Sequence, residues 1–95
     1  MLEVDETKAA ANLMKHGLPL EAGEFLFDGP FVEEEDRRAD YGENRFVATG
    51  PVAQFGDRLC VAVYTWRGPI RRIISFRKAN DREIQKYQAS DPRRS

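Results

Sequence analysis

The chain has one cysteine, one histidine and one tryptophan. With Cys60 alone no internal disulfide can form. Its place in the apolar run 59–66 marks it as a small buried hydrophobe rather than a reactive thiol. One histidine and one cysteine make no zinc set, and the acidic run 33–36 lacks the spacing of a calcium loop, so no metal is expected. There is no Gly-rich phosphate loop and no nucleophile elbow, so no cofactor is expected either. The run 59–66 is far short of the roughly 20 apolar residues that a membrane helix needs. The start Met1-Leu2-Glu3-Val4-Asp5-Glu6 lacks the basic and apolar regions of a signal peptide. The expectation is a cytoplasmic protein without membrane contact. No internal repeat and no low-complexity tract is present. Ninety-five residues make a single domain, 1–95, with a frayed tail from about residue 90. Such a chain buries one core but encloses no large substrate cavity.

What the chain does have is charge, unevenly placed. Residues 1–57 hold 5 Lys/Arg and 13 Asp/Glu, a net of −8, and residues 58–95 hold 10 Lys/Arg and 3 Asp/Glu, a net of +7. A basic half suggests a polyanionic partner. The alternative is that the halves neutralise one another inside one compact fold.

Periodicity and punctuation give the elements. Asp5 is a good N-cap for a helix over residues 6–16, with Ala9, Ala10, Leu13 and Met14 as its apolar stripe. Gly17 and Pro19 stop that helix. A second short helix is expected from Leu20 to about Phe27, ended by Asp28-Gly29-Pro30, so that the two form a helical hairpin. Residues 31–36 read as an edge strand, because four consecutive acids block edge-to-edge pairing. A polar loop follows over 37–44. Residues 45–52 form a strand with Phe46 and Ala48 on one face and Val47 and Thr49 on the other. Residues 58–67 read as a central strand, apolar on both faces: Leu59, Val61 and Val63 against Cys60, Ala62, Tyr64 and Trp66. Gly68-Pro69 turns the chain into a last strand, 69–79. Strict alternation would place Arg71, Ile73, Ser75 and Arg77 on one of its faces and Arg72, Ile74, Phe76 and Lys78 on the other. A helix from Asn80 to about Ala89 closes the chain, with Asn80 and Glu83 spaced as a capping box and Ile84 and Tyr87 as apolar anchors. The expected order is α-α-β-β-β-β-α, an α+β domain with a four-stranded antiparallel sheet.

The candidate chemistry is cationic. Arg71, Arg72, Arg77, Lys78, Arg82 and Lys86 lie on the last strand and last helix. Arginine binds phosphate bidentately and stabilises the charge of a phosphoryl transition state. The bland alternative is a solvated basic face. His16 is either an imidazolium favoured by the negative end of its helix or a general acid or base near neutral pH. Tyr87 is either a packing anchor or a phenol that reaches phosphate. Trp66, nearest the turn, is either core or a platform for a nucleobase.

The chain resembles the BrnT family of ribonuclease toxins. The stretches that carry the resemblance are Asp5-Glu6-Thr7-Lys8-Ala9-Ala10-Ala11-Asn12, Lys15-His16-Gly17, Phe27-Asp28-Gly29-Pro30, Asp40-Tyr41-Gly42-Glu43-Asn44-Arg45-Phe46, Val61-Ala62-Val63-Tyr64-Thr65, Arg72-Ile73-Ile74-Ser75-Phe76-Arg77-Lys78-Ala79, and Arg82-Glu83 followed by Tyr87. They run in order along nearly the whole chain. The resemblance implies a RelE-like fold and metal-independent cleavage of RNA that halts translation. It also implies a ribbon-helix-helix antitoxin (BrnA-like) in a two-plus-two complex, with DNA bound only through that antitoxin. It further implies active-site candidates His16, Arg77, Lys78, Arg82 and Tyr87, with Lys8 next in line. Together with the residue reading, Arg77, His16, Tyr87 and Lys78 are the catalytic candidates, and Arg71, Arg82, Lys8 and Trp66 are expected to contact RNA. The chain departs from the family pattern at Val4 and at Phe76, and Phe76 beside Arg77 would narrow the site. A non-catalytic module that binds RNA or protein through a basic surface is the second reading of the same residues.

Overall fold

The structure, a computed structural model, describes residues 2–37 and 42–90. The tip of the polar loop and the tail expected to fray lie outside the described residues. The chain opens with a short strand, β1 (Leu2–Val4), and continues into helix α1 (Glu6–His16). A 3₁₀ segment follows (Leu20–Asp28), then strands β2 (Val32–Asp36), β3 (Arg45–Val52), β4 (Arg58–Arg67) and β5 (Ile70–Lys78), and finally helix α2 (Asp81–Ser90). The sheet has five strands in the order β1-β5-β4-β3-β2. β1 runs parallel to β5, and every other pair is antiparallel.

The sheet is therefore mixed and five-stranded, not the four-stranded antiparallel sheet that the sequence suggests. β1 pairs Val4 with Ile73, a partner nearly seventy residues away, and three residues before an N-cap carry no periodicity of their own. The second helix is 3₁₀ rather than α. Gly23 sits in it where an added Cβ would touch Ile73 and Phe76 at 3.5 and 3.7 Å, which is ordinary contact. Three strand readings hold. β4 is central, β2 is the acidic edge, and Gly68, at φ 59°, opens a two-residue turn between Arg67 and Ile70.

One face of the sheet carries the core. Leu20, Ala22 and Leu26 of the 3₁₀ segment pack on Ala48, Val52, Cys60, Ala62, Tyr64, Ile73 and Phe76. Val4 packs at the margin of this cluster. Gly50 is required by close approach: a Cβ there would lie 2.5 Å from the Pro30 carbonyl oxygen. The other face carries Val47, Val61, Val63 and Arg77, and α2 lies against it, with Tyr87 only 8% exposed.

Two details of β5 set the site. The first is a bulge. Ser75 pairs with Val63 and Ile73 with Tyr64, which leaves Ile74 as the extra residue. The alternation resets there. Arg71, Ile73, Phe76 and Lys78 fall on the core face, and Arg72, Ser75 and Arg77 on the other. The strict alternation read from sequence is thus corrected. Phe76 is fully buried and points away from Arg77, so it does not narrow a site there.

The second detail is how the edge of β5 is closed. β1 covers it only from Arg71 to Ile73. Beyond that, the side chain of Asn12 on α1 acts as the missing strand. Its Nδ2 donates to the Phe76 carbonyl at 2.8 Å, and its Oδ1 accepts from the Phe76 N–H at 2.9 Å. Nδ2 also donates to the Leu18 carbonyl at 2.9 Å, across the Gly17 cap. Asn12 is 5% exposed, so removing its amide strands buried donors and acceptors. Asn12→Ala is expected to lower stability by about 3 kcal/mol, counting two or three orphaned groups. Gly50→Ala should lower it by roughly 2 kcal/mol through overpacking against backbone. Urea melts of both variants check this; an unchanged midpoint for Asn12→Ala removes the amide from its structural role.

Candidate functional site

Asn12 fixes the phase of α1 on the sheet. Lys8, Lys15 and His16 stand one turn from it and share its side of the helix. With Ala11, Ile74 and Ser75 they line a shallow groove of about 190 Å³ between α1 and β5. Asp5 starts the helix by accepting from the N–H groups of Thr7 and Lys8 at 2.9 and 3.1 Å. Gly17, at φ 71°, ends it by donating to the Leu13 carbonyl. His16 is therefore a last-turn residue, where the helix end alone would favour the imidazolium. The opposite is found: its pKa lies below the ordinary histidine value. Burial is the largest cause, followed by the charges of Lys15 and Arg77. The shift favours the uncharged imidazole, the form able to accept a proton.

Arg77 stands two residues beyond Ser75 on the same face. Its guanidinium meets Glu83 end-on, Nη1 donating to Oε1 at 2.6 Å and Nη2 to Oε2 at 2.7 Å. Glu83 is held in turn by the capping box of α2. Its Oε1 accepts from the Asn80 N–H at 2.9 Å, and its own N–H donates to Asn80 Oδ1 at 2.9 Å. The bond from Arg77 is the largest cause of a Glu83 pKa below the usual carboxylate range. Beyond this pair, a second groove of about 320 Å³ is walled by Glu34, Glu35, Asp36 and Arg37 and floored by Val47 and Val63. Glu83 carries no functional signal in the sequence beyond its capping spacing. Its meeting with Arg77 depends on how the β5–α2 connection turns.

The other candidates separate. Lys78 is exposed on the core-face side of β5, opposite Arg77, so the two do not converge on one phosphate. Arg82 is exposed in the first turn of α2. Tyr87 is buried between α2 and the sheet and serves packing. Arg72 binds Asp5 at 3.2 Å and Glu3 at 3.5 Å, which ties β1 and the start of α1 to β5. Lys86 pairs with Glu34 of the edge strand at 2.7 Å. Arg71 and Trp66 meet at the other end of β5, roughly 20 Å from Arg77 at the usual rise per residue. There the Arg71 guanidinium lies 4.0 Å from the Phe27 ring centroid and 4.7 Å from that of Trp66, with Tyr64 and Phe31 at 5.3 and 5.8 Å. Trp66 remains 42% exposed. Tyr64 donates to Glu33, and burial is the largest cause of its raised pKa.

What the α1–β5 groove offers is an imidazole with a lowered pKa, the ammonium groups of Lys8 and Lys15, the Ser75 hydroxyl, and a guanidinium whose charge reaches the imidazole. That set can accept a proton beside a bound anion. Among the described residues no cluster of His, Cys, Asp and Glu is arranged to hold a metal ion, and no helix is long and apolar enough to cross a membrane. Because His16 is the only histidine, its titration is directly visible by NMR. Arg77→Ala should raise the His16 pKa by removing a nearby positive charge, while burial and Lys15 keep it from overshooting the ordinary value. A fall, or no change, would place Arg77 out of reach of the imidazole.

Comparison with known proteins gives the family. Residues 5–83 match the model of the family described as ribonuclease toxin, BrnT, of type II toxin-antitoxin system. No curated protein matches. Among solved structures, the chain is similar to the crystal structure of the Brucella abortus ribonuclease toxin BrnT. The TM-score is 0.61 at 25% identity, with 84% of this chain and 96% of the other covered. The matched stretch takes in α1, the whole 3₁₀ segment, β2 to β5 and the start of α2, with every residue of the α1–β5 groove and both partners of the Arg77–Glu83 pair, and the chain belongs to the BrnT family of ribonuclease toxins of type II toxin–antitoxin systems.

Proposed function

We propose that the chain cleaves RNA without a metal ion, at the groove between α1 and β5. The observation that carries this reading is the placement of His16 beside Lys8, Lys15 and Ser75 in one groove, with the Arg77 charge among the causes of its lowered pKa. In the proposed reaction His16 takes the proton of the ribose 2′-hydroxyl as that oxygen attacks phosphorus. Arg77 stabilises the charge that gathers on the phosphoryl oxygens. The departing 5′-oxygen takes its proton from solvent, to which the shallow groove is open. Lys8 and Lys15 hold the flanking phosphates as point charges. Arg71 and Trp66 hold a more distant part of the strand, Trp66 by stacking on a base. Lys78 and Arg82, both exposed, add to the field that draws RNA in.

The RelE-like inhibition of translation in the cytoplasm belongs to this reading, as does neutralisation by a ribbon-helix-helix antitoxin in a two-plus-two complex. A second reading, a module that binds RNA or protein without cleaving it, is favoured by the pairing of Arg77 with Glu83, which offsets the charge that catalysis would use. Two assays separate these readings. Purified protein in excess chelator should cleave RNA, and induced expression should arrest growth unless a neighbouring antitoxin gene is induced with it. Arg77→Ala should cost about 10²–10³-fold in rate, as removal of an oxyanion donor does. Tyr87→Phe should keep the wild-type rate. Intact RNA together with harmless induction would leave the binding module as the surviving reading.

A further inference from the structure

We infer that Glu83 is a positioning residue for Arg77: a carboxylate fixed by the cap of α2 that sets the direction in which the guanidinium meets the RNA phosphate. The inference rests on the ribonuclease reading and goes beyond it, since neither the groove nor the sequence pattern gives Glu83 a part in the reaction.

The geometry makes the case. Arg77 lies near the end of β5, where a long side chain on the sheet surface would sample several rotamers. Glu83 removes that freedom by accepting from both Nη atoms at 2.6 and 2.7 Å. The carboxylate is not itself loose. Its Oε1 also accepts from the Asn80 N–H, and the Glu83 N–H is held by Asn80 Oδ1. Between the two residues, the Ala79 N–H donates to the Leu59 carbonyl at 2.9 Å, which fastens the connecting segment to β4. The clamp is thus anchored to the sheet at one end and to the helix cap at the other. A cap residue needs only one acceptor for the Asn80 N–H, and a simple capping box leaves the second carboxylate oxygen to solvent. Here the second oxygen binds Arg77, which is the interaction that capping does not explain.

Preorganisation of this kind acts on the transition state. An interaction made only there lowers kcat and kcat/KM together when it is lost, whereas a competing carboxylate that must be displaced would show the reverse. The two roles of Glu83 also come apart by substitution. Glu83→Gln keeps an acceptor for the Asn80 N–H but loses the charge and the second acceptor. Asn80→Ala weakens the cap but leaves both bonds to Arg77.

The test measures RNA cleavage in chelator by wild type, Glu83→Gln and Asn80→Ala. Rotation of the Arg77 guanidinium, followed by nitrogen-15 NMR of the same proteins, runs alongside. Rotation should be slow in wild type and Asn80→Ala and fast in Glu83→Gln. Glu83→Gln should lose about tenfold or more in kcat with KM within about twofold, the pattern of a lost transition-state interaction. Asn80→Ala should stay within about twofold in both. Equal losses in the two variants would reduce Glu83 to a cap. A lower KM with unchanged or higher kcat in Glu83→Gln would make it a competitor for Arg77. Either outcome overturns the inference while wild type remains active. Failure of the ribonuclease reading is seen instead as intact RNA with the wild-type protein.

Discussion

The pairing of the Asn12 amide with the backbone of Phe76 is the contact on which the rest of the site depends. A strand edge exposes N–H and C=O groups that must find partners. β1 is too short to pair the whole edge of β5, and a backbone-like side chain on α1 completes the ladder. An asparagine can do this because its amide carries one acceptor and two donors in a plane, and all three functions are used here. The consequence is positional. With Asn12 locked to Phe76, His16 one turn further along α1 comes to lie over Ser75 and within the field of Arg77.

The bulge at Ile74 is the second constraint. Without it Arg77 would share a face with Ile73, and its guanidinium would be directed into the core. With it, Phe76 fills the core and Arg77 turns to the face on which α2 begins. One inserted residue therefore decides both the packing of the sheet and the partner of the arginine. It also divides the cations of β5 by task. Arg72 braces β1 and the cap of α1, Arg77 is gripped by α2, and Arg71 sits among aromatic rings at the far end. The uneven charge of the chain is partly internal: Lys86 and Arg77 of the basic half meet Glu34 and Glu83, one in each half.

Local chemistry made much of this fold legible. The caps at Asp5, Gly17 and Asn80, the two apolar faces of β4, the acidic edge β2 and the Gly68-Pro69 turn all follow from the residues that form them. What could not be read are the long-range choices. β1 exists only because β5 lies beside it. Residues 20–28 wind as 3₁₀, and their composition does not separate that from an α-helix. At the site, His16 and Arg77 stood out as residue types suited to RNA chemistry, and the resemblance implied both together with Lys78, Arg82 and Tyr87, with Lys8 next in line. The convergence of His16 and Arg77 was not legible, because it follows from Asn12 and from the bulge. Alternation alone already set Lys78 on the face opposite Arg77, whereas an i, i+3 helical pair does not say how deep Tyr87 lies.

The central claim is that α1 and β5 bring His16 and Arg77 together to act on one phosphate. The most direct test is a double-mutant cycle on RNA cleavage with His16→Ala, Arg77→Ala and the double variant. Groups that act as one unit are strongly non-additive. The double variant should be no more than about threefold slower than the slower single variant. If the two losses multiply instead, His16 and Arg77 work independently, and the groove is not the unit described here.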